Sequence, residues 1–359
     1  MPSTLVLLRL RPTIRIVDQT TDRTGPNPVD VRAELAEAVQ TQGTAMFSEW
    51  LGAEDTKVEI LSVLCAGRNL LLEGPVGSGK TLLAEQIAAA LPDVRLAGCS
   101  FHCLPGERAC PQCRSGMADS DTRVVHGRQR FVRIQGSPDL FPEDLIGDVD
   151  PAAALQFGIL DPRAFRPGRL LKAHRQLCFV DEVNRLSERL QNVFLELLQE
   201  RAVTVGGYEA RFPLDTVVVA TMNPDEYVGV GRLSEALRDR FERVRLGYPQ
   251  PDDEVAILQR RARIPAAATP PPPEVATSIV SFANRLRHDE VETPPSVRAT
   301  LAAYELAASW RHVKGGPWVV AVRNGLRVAL RGRLVLRPNH RLAAAPDVFV
   351  DELLAGLRV

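Results

Sequence analysis

The sequence predicts an α/β fold, with helices on both faces of a mostly parallel sheet, followed by a small helical domain. Between residues 46 and 263, short apolar runs alternate with stretches of helical periodicity, the pattern of parallel strands joined by crossover helices. A proline-rich segment separates this region from further helical patterns. The strand candidates are continuous apolar or β-type runs, as expected for strands covered on both faces: residues 70–72, 131–134, 177–180, 217–220 and 243–246.

The domain organisation follows from these patterns. Residues 1–45 form an N-terminal arm. Residues 46–263 form the sheet domain, which contains a cysteine-rich insert at about residues 94–129 with little helical or strand periodicity. Residues 264–274 are interpreted as a linker, because prolines lack the amide donor and disfavour helix in the residue before them. Residues 275–359 show helical patterns without a good strand series.

Composition and charge exclude several classes of protein. The 359 residues are 45% hydrophobic and 25% charged, which is the balance of a folded chain rather than a disordered one. Lys and Arg total 44, as do Asp and Glu, so no global positive field attracts nucleic acid. No run approaches the roughly 18 apolar residues of a membrane helix, and we find no convincing export signal. We therefore expect a cytoplasmic protein without membrane contact, whose six cysteines stay reduced.

A phosphate-binding loop follows the first predicted strand. The flanking strand and helix disfavour the alternative, a glycine-rich turn with an incidental lysine. Glycines let backbone amides curl around phosphates, and the next helix presents its positive N-terminus to them. Lys80 would reach the β- and γ-phosphates of ATP, and the Thr81 hydroxyl would bind Mg²⁺. The motif G-x-x-x-x-G-K-[ST] comprises Gly74, Pro75, Val76, Gly77, Ser78, Gly79, Lys80 and Thr81.

Two acids end the third predicted strand. Asp181 and Glu182 follow four apolar residues, and a P-loop needs a carboxylate on a neighbouring strand to hold its metal ion. We assign Asp181 to the Mg²⁺ shell and Glu182 to the base that orients and polarises the attacking water. Asn223, after the fourth strand, would bind that water or a γ-phosphate oxygen at the carboxyl edge of the sheet. Without these neighbours, the acids would be read as helix caps and Asn223 as a turn residue.

The order of these motifs resembles the AAA+ P-loop ATPases, in particular the branch of MoxR proteins and magnesium-chelatase ATPase subunits. The resemblance implies a homo-oligomeric ring, usually a hexamer, with ATP bound between subunits and a C-terminal helical lid. Two further features fit this branch: an insert over residues 148–167 that would expose Phe157 and Phe165, and a hairpin over residues 201–212. The resemblance covers about residues 46–345 and rests on GPVGSGKT, FVRIQGSPDLFPEDLIG, FRPGRLLKAHRQLCFVDEVNRL, LLQERAVTVGGY, VVVATMNP, LSEALRDRF and LRGRLVLRP.

The resemblance also assigns two arginines. Arg240, within the sequence DRF, matches the arginine finger that contacts the γ-phosphate of the adjacent subunit, with Arg238 as the alternative. Arg298 matches the sensor-2 arginine at the start of a lid helix, where it would contact phosphate in its own subunit and couple the lid angle to the nucleotide state. Outside this family, Arg240 would be interpreted as a solvated surface residue.

Four cysteines lie close together in the cysteine-rich insert of residues 94–129: Cys99, Cys103, Cys110 and Cys113. Four thiolates complete a tetrahedral Zn²⁺ shell, and C-x-x-C is the usual half-site. Bound metal would supply folding energy that the insert lacks, and a catalytic metal is disfavoured because four thiolates leave no open position. The alternatives are an iron–sulfur cluster and free thiols or redox pairs.

Other candidate ligands and thiols are given structural roles. His102 and His126 could replace a thiolate at this site, but we expect them at the surface. Cys65 and Cys178 each lie in an apolar run, which predicts that both are small core residues.

The sequence predicts an Mg-dependent ATPase. In the branch that it resembles, such ATPases remodel a protein partner, often one with a von Willebrand A domain. The alternative is the ATPase subunit of a chelatase that inserts Mg²⁺ or Co²⁺ into a tetrapyrrole, although we identify no porphyrin pocket. The charge balance disfavours a nucleic-acid motor, and the intact Asp181, Glu182 and Asn223 disfavour a nucleotide-binding scaffold without turnover.

Overall fold

The computed structural model describes residues 30–114, 116, 121–159, 161, 163–205, 210–223, 233–287 and 291–357. The strands are β1 (Leu70–Glu73), β2 (Val94–Ala97), β3 (Thr122–Val125), β4 (Phe131–Gln135), β5 (Gly147–Val149), β6 (Phe165–Pro167), β7 (Gln176–Asp181), β8 (Ala202–Val205), β9 (Ala210–Pro213), β10 (Thr216–Met222), β11 (Glu242–Arg245), β12 (Val291–Thr293) and β13 (Val335–Leu336). The helices are α1 (Val31–Gln42), α2 (Glu54–Cys65), α3 (Lys80–Ala89), α4 (Pro111–Arg114), α5 (Pro142–Ile146), α6 (Pro151–Phe157), α7 (Arg169–Lys172), α8 (Glu188–Glu200), α9 (Glu235–Arg238), α10 (Pro251–Arg261), α11 (Pro273–Arg285), α12 (Val297–Lys314), α13 (Trp318–Leu330) and α14 (Pro346–Ala355).

Five parallel strands form the central sheet, in the order β11-β1-β10-β7-β4. They coincide with the five predicted strand runs, and the predicted α/β fold is confirmed. The register pairs Glu73 with Met222 and Gln135 with Asp181, so the carboxyl ends of β1, β10, β7 and β4 meet at one edge. Polar side chains that follow these strands are therefore brought together.

Both faces of the sheet are buried, which explains the continuous apolar runs. Side chains alternate along a strand, so Phe179 packs into the core that contains α1, α2 and α3. Cys178 and Val180 point to the other face and pack into the core that contains α8. The inner strands β1, β7 and β10 therefore need apolar residues at nearly every position, whereas the edge strands β4 and β11 keep exposed charged residues such as Arg133 and Arg243.

The first helix packs against the sheet domain. Val31 and Leu35 on α1 are buried in the same core as Leu64 of α2. Asp30 caps the helix by accepting hydrogen bonds from backbone amides in its first turn, and the Val31 amide donates to an Asp215 carboxylate oxygen at 3.1 Å. The described part of the predicted arm is thus packed with the residues after 45, whereas residues 1–29 lie outside the described ranges.

The C-terminal helices build a core of their own. The helices α11, α12, α13 and α14 bury their apolar faces together, and Leu258 of α10 joins them although we placed that helix in the sheet domain. The helix α11 begins at Pro273, so the last two residues of the predicted linker belong to its first turn. Proline is tolerated there because the first backbone amides of a helix have no hydrogen-bond partner within the helix. The short antiparallel pair β12–β13 was not predicted.

The predicted hairpin and the predicted insert each contain an antiparallel pair of strands. The strands β8 and β9 pair antiparallel, which confirms the predicted hairpin, although its turn lies outside the described residues. The strands β5 and β6 also pair antiparallel, and α6 lies in the segment that connects them. The expected exposure of Phe165 is wrong: it is 3% exposed, because its side chain on β6 points into the core. Phe157 is half-buried, with the Arg163 guanidinium 3.9 Å from its ring centroid, and it is Leu155 that is 91% exposed.

Within the part of the chain that the structure describes, none of the helices has both the length and the apolar character needed to cross a bilayer.

Candidate functional site

The loop between β1 and α3 has a backbone that only glycine suits at several positions. Gly77 and Gly79 adopt φ angles of +85° and +87°, a region that residues with side chains rarely occupy. A Cβ at Gly79 would lie 2.7 Å from the Trp50 ring, and one at Gly74 would lie 2.6 Å from the Leu246 carbonyl oxygen. The helix α3 begins at Lys80, so its first amides adjoin the loop. Loop amides and a helix N-terminus together favour a bound anion.

Lys80 folds back onto this loop. Its Nζ donates hydrogen bonds to the carbonyl oxygens of Gly74, at 2.6 Å, and of Pro75, at 2.9 Å. These bonds hold the ammonium group against the loop backbone. A phosphate oxygen bound in the loop could replace either carbonyl as acceptor.

Thr221 on β10 binds both acids that end β7. Its Oγ1 donates to Asp181 Oδ1 at 2.7 Å and accepts from the Glu182 amide at 2.9 Å. The other carboxylate oxygen of Asp181 accepts from Arg133 Nη2, on β4, at 2.5 Å. Asp181 is therefore held in one orientation at the edge of the sheet.

Glu182 has an unusual backbone conformation. Its φ of 56° and ψ of 52° are left-handed, and such conformations in residues other than glycine cluster at functional sites. Its Oε2 accepts from Arg185 Nη1 at 2.8 Å and from Gln135 Nε2 at 3.2 Å. The carboxylate is thus bound by one cation and one amide.

Asn223 and Arg298 lie beside the phosphate loop. Asn223 directly follows β10, whose last residue, Met222, accepts a hydrogen bond from the Gly74 amide at 3.2 Å. Arg298 is in the first turn of α12, and its backbone nitrogen would lie 3.4 Å from a Cβ at Gly77. The described structure therefore brings the loop, Asp181, Glu182, Asn223 and the backbone of Arg298 to one edge.

Arg240 lies at the opposite end of the sheet. It precedes β11, whose first residue, Glu242, pairs with Leu70 at the start of β1, whereas the phosphate loop follows the end of β1. Its Nη1 forms an ion pair with Asp239 at 2.6 Å. One chain therefore does not bring Arg240 to its own phosphate loop.

A cleft of about 310 Å³ adjoins the loop and was not predicted from the sequence. It is lined by Trp50, Leu82, Tyr248 and Val297, among others, and Trp50 Nε1 donates to the Ser78 carbonyl oxygen at 2.9 Å. Aromatic and aliphatic side chains next to a phosphate site suit the flat face of a nucleotide base. The sequence holds no local signal for this cleft, because its lining comes from four distant segments.

The four cysteines of the insert converge. The sulfur atoms of Cys99, Cys103, Cys110 and Cys113 all lie within 4.8 Å of one another, and all four residues are buried. Zn–S bonds of about 2.3 Å would place tetrahedral sulfurs about 3.8 Å apart, so the cluster needs little closure to fit the ion. The Cys103 amide donates to Cys99 Sγ and the Cys113 amide to Cys110 Sγ, each at 3.3 Å.

The thiols of this cluster differ in acidity. A hydrogen bond from Cys103 is the main reason why the pKa of Cys99 lies far below its ordinary value. Burial is the main reason why the pKa of Cys113 rises to about 12. The four thiols therefore do not ionise alike, and a bound cation would favour the thiolate form of each.

Buried polar contacts attach the insert to the amino end of β7. Gln176 Nε2 donates to His102 Nδ1 at 2.6 Å, and Arg175 Nη1 donates to the His102 carbonyl oxygen at 3.0 Å. Arg175 Nη2 also donates to Glu107 Oε1 at 2.9 Å. The expected surface role of His102 is therefore wrong, whereas the side chain of His126 is exposed and pairs with Asp93.

The two remaining cysteines have different surroundings. Cys178 on β7 is buried as predicted. The prediction for Cys65 is wrong: it is exposed at the end of α2, because the apolar stripe of that helix buries Ile60, Leu61 and Leu64 instead.

Two family models match this chain in adjacent ranges. The model described as "ATPase family associated with various cellular activities (AAA)" matches residues 115–243, and the model "Magnesium chelatase, subunit ChlI" matches residues 47–99. Residues 100–114, between these ranges, contain three of the four clustered cysteines.

Known proteins are similar along most of the chain. A solved complex of the magnesium-chelatase subunits BchI and BchD aligns over 86% of this chain and 98% of the matched chain, with 19% identity and a TM-score of 0.48. The magnesium-chelatase 38 kDa subunit of Acidiphilium rubrum is 29% identical over 320 residues, which cover 81% of this chain and 87% of the relative. The chaperone MoxR1 of Mycobacterium tuberculosis is 32% identical over 350 residues, which cover 89% of this chain and 77% of the relative. The chain therefore belongs to the AAA+ ATPases of the MoxR and magnesium-chelatase branch.

Proposed function

We propose that this chain binds Mg-ATP at the carboxyl edge of its sheet and hydrolyses it. The observation that carries the proposal is the meeting of a phosphate loop with the acids Asp181 and Glu182 at that edge, where ligands of open α/β sheets bind. In this proposal, the backbone amides of residues 76–79 and the Lys80 side chain hold the phosphates, and the cleft beside Trp50 holds the base.

The donor set supports Mg²⁺ as the metal ion. Mg²⁺ prefers oxygen ligands, and the proposed residues offer the Thr81 hydroxyl and the Asp181 carboxylate. When bound, the ion would neutralise charge on the transferred phosphoryl group. Arg298 would contact phosphate from the first turn of α12.

Glu182 is the proposed general base. To orient the attacking water and accept its proton, its carboxylate would have to exchange Arg185 or Gln135 for that water. Asn223 would donate a hydrogen bond to the water or to a γ-phosphate oxygen from the adjoining strand end.

Two substitutions test these roles separately. Lys80→Ala should abolish ATP binding, whereas Glu182→Gln should bind ATP and hydrolyse it about 10²- to 10⁴-fold more slowly, as expected for loss of a general base. Glu200→Gln is the control, since this exposed acid pairs with Arg211 away from the strand ends. Binding is measured by equilibrium titration and hydrolysis by phosphate release. Equal turnover in Glu182→Gln and wild type would remove Glu182 as the base, and a wild type without ATP affinity would refute the function.

The position of Arg240 supports a homo-oligomeric ring as the working form, with six subunits expected. Because this arginine lies at the far end of the sheet from its own phosphate loop, any nucleotide that it contacts would belong to another subunit. Arg238, three residues after α9 begins, is the alternative finger.

We further propose that hydrolysis drives the remodelling of a protein partner, with a von Willebrand A domain protein as the expected class, in a reducing cytoplasm. The similarity to a protein named chaperone supports this use. The alternative is a magnesium or cobalt chelatase acting on tetrapyrroles, which the similarity to a magnesium-chelatase subunit supports. Co-purification with the Glu182→Gln form, followed by identification of what it retains, distinguishes them: chelatase partner subunits would contradict the remodelling role.

The proposal extends to a structural Zn²⁺ at the cysteine cluster, supported by the four buried sulfurs within 4.8 Å of one another. We expect about one zinc per chain by metal analysis, and loss of the zinc in Cys110→Ser. Cys65→Ser, at an exposed cysteine outside the cluster, should keep it. Four reactive thiols with no metal would contradict the site, and iron with visible absorption would favour the iron–sulfur alternative.

A further inference from the structure

We propose that Arg133 is a built-in competitor of Mg²⁺ for Asp181. This inference rests on the proposed Mg-ATP site, of which Asp181 is the carboxylate ligand. It assigns to a side chain on the edge strand β4 the role of setting how strongly the site takes up the metal ion.

Both carboxylate oxygens of Asp181 already have partners. Oδ1 accepts from the Thr221 hydroxyl at 2.7 Å, and Oδ2 accepts from Arg133 Nη2 at 2.5 Å. Arg133 is paired with Phe179 in the β4–β7 register, and its guanidinium carbon lies 5.9 Å from the Phe179 ring centroid. The side chain therefore runs along the sheet towards its carboxyl edge, where it meets Asp181.

The two partners of Asp181 differ in charge, and this decides which can stay when Mg²⁺ binds. The Thr221 hydroxyl is neutral and can keep its bond. The guanidinium is always positive, so it repels a divalent cation that shares the same oxygen. Mg²⁺ can therefore coordinate Oδ2 only after Arg133 has left it.

The surroundings of Arg133 allow it to leave. Its side chain is 49% exposed, whereas that of Asp181 is 15% exposed. Gln135 Oε1 lies 3.4 Å from Arg133 Nη2 and offers a second acceptor at the same strand end. The arginine can therefore move from carboxylate to amide without being buried unpaired.

Removing this competitor should strengthen Mg²⁺ binding. The pair is partly exposed, and ion pairs of that kind correspond to roughly a two- to fivefold change in an equilibrium constant. We therefore expect Arg133→Met, which keeps an apolar stem beside Phe179, to lower the half-saturating free Mg²⁺ concentration about two- to fivefold. Arg133→Lys, which keeps the charge, should remain close to wild type.

The test uses the full chain and a fluorescent ADP, so that no hydrolysis occurs. The dissociation constant of the nucleotide is measured in EDTA and over a series of free Mg²⁺ concentrations, with Mg–ADP association in solution taken into account. The dissociation constant in EDTA gives each protein its own metal-free reference, against which its Mg²⁺ dependence is compared. Arg163→Met is the matched control, because Arg163 forms a 2.7 Å ion pair with Asp161 and is 42% exposed, outside the nucleotide site.

An unchanged or higher Mg²⁺ half-saturation in Arg133→Met would overturn the inference, since it would mean that the arginine does not oppose the metal. Arg133→Gln, which keeps a polar group at this half-exposed position, provides a second variant if Arg133→Met does not fold by circular dichroism. A wild type that binds no fluorescent ADP under any condition would refute the proposed function instead.

Discussion

At the scale of single residues, the phosphate loop depends on a glycine where backbone conformation and crowding coincide. Gly79 has a φ of +87°, and its missing side chain leaves room for Trp50, which is bound to the Ser78 carbonyl oxygen at 2.9 Å. Gly158 has a similar φ of +95°, but among the described residues no neighbouring atom lies within 4 Å of a Cβ built there. Substituting each of the two glycines therefore distinguishes the cost of backbone strain from the cost of a steric clash.

Gly79→Ala should weaken nucleotide binding at least tenfold and destabilise the protein by about 2–4 kcal/mol, because strain and a clash with Trp50 add. Gly158→Ala should cost about 1–2 kcal/mol from strain alone and leave nucleotide affinity unchanged. Urea unfolding and nucleotide titration measure the two effects. Equal losses of stability in the two variants would contradict the steric role of Trp50.

Residues in local motifs could be predicted, whereas residues that act through distant contacts could not. The loop around Lys80 and the acid pair at Asp181 were found because each directly follows a strand-like run. Trp50 and Arg133 were missed because their contacts come from other segments. Cys65 was misjudged because exposure depends on which face of a helix packs, and one residue does not define that face.

At the scale of elements, buried polar groups join the segments that precede β7 and β10. His174 Nδ1 accepts from the Asp215 amide at 3.0 Å, and its Nε2 lies beside the Arg175 guanidinium. Burial, aided by the Arg175 charge, lowers the pKa of His174 to about 3. Burial raises the pKa of the neighbouring Asp215 to about 6. The two groups therefore give opposite pH dependences to the stability of this junction.

Between pH 7 and pH 5, His174 should reduce stability. An unfolded histidine takes up a proton near its ordinary pKa of 6.5, but the folded one stays neutral until about pH 3, so the loss at pH 5 is on the order of 2 kcal/mol. Over the same pH range, Asp215 offsets on the order of 1 kcal/mol of this loss of stability. The folded carboxylate gains its proton below about pH 6, whereas the unfolded one gains it only near pH 3.8.

His174→Gln isolates the histidine contribution. Urea unfolding at pH 7 and pH 5 should show that the variant loses about 2 kcal/mol less stability on acidification than wild type. His312→Gln, at an exposed position in the last turn of α12, is the control and should lose as much as wild type. An identical pH difference in His174→Gln and wild type would contradict the burial of a neutral imidazole.

Elements were predictable where their residues form a continuous apolar or β-type run. The five sheet strands were found because each carries such a run, and the inner strands β1, β7 and β10 are buried along nearly their whole length. The pairs β2–β3 and β12–β13 were missed, because β2 and β3 flank a cysteine-rich stretch with little periodicity and β12 and β13 have only three and two residues. The start of α11 was placed late, because proline disfavours a helix interior but not its first turn.

At the scale of the whole molecule, the nucleotide edge of one chain and Arg240 lie at opposite ends of the sheet. The strand β1 has four residues, at about 3.3 Å each, so the start of the phosphate loop and the level of Arg240 are separated by roughly 10 Å or more along the strand. If Arg240 stabilises charge on the γ-phosphate, the phosphate must belong to a neighbouring subunit, and hydrolysis must depend on assembly.

Mixing two inactive variants tests this dependence. Arg240→Ala should lower hydrolysis by about 10³- to 10⁵-fold, the range for loss of an arginine finger, without preventing ATP binding. Lys80→Ala should be inactive because its own loop cannot hold ATP. In a mixed assembly, an Arg240→Ala subunit keeps its loop and can receive Arg240 from a Lys80→Ala neighbour, so phosphate release should recover and be greatest at equal proportions. Arg163→Ala, at a partly exposed arginine of another ion pair, should be active by itself and is the control. If no ratio of Arg240→Ala to Lys80→Ala restores hydrolysis but a mixture of Arg238→Ala with Lys80→Ala does, the finger is Arg238. If neither mixture recovers hydrolysis, contact between subunits does not complete the site.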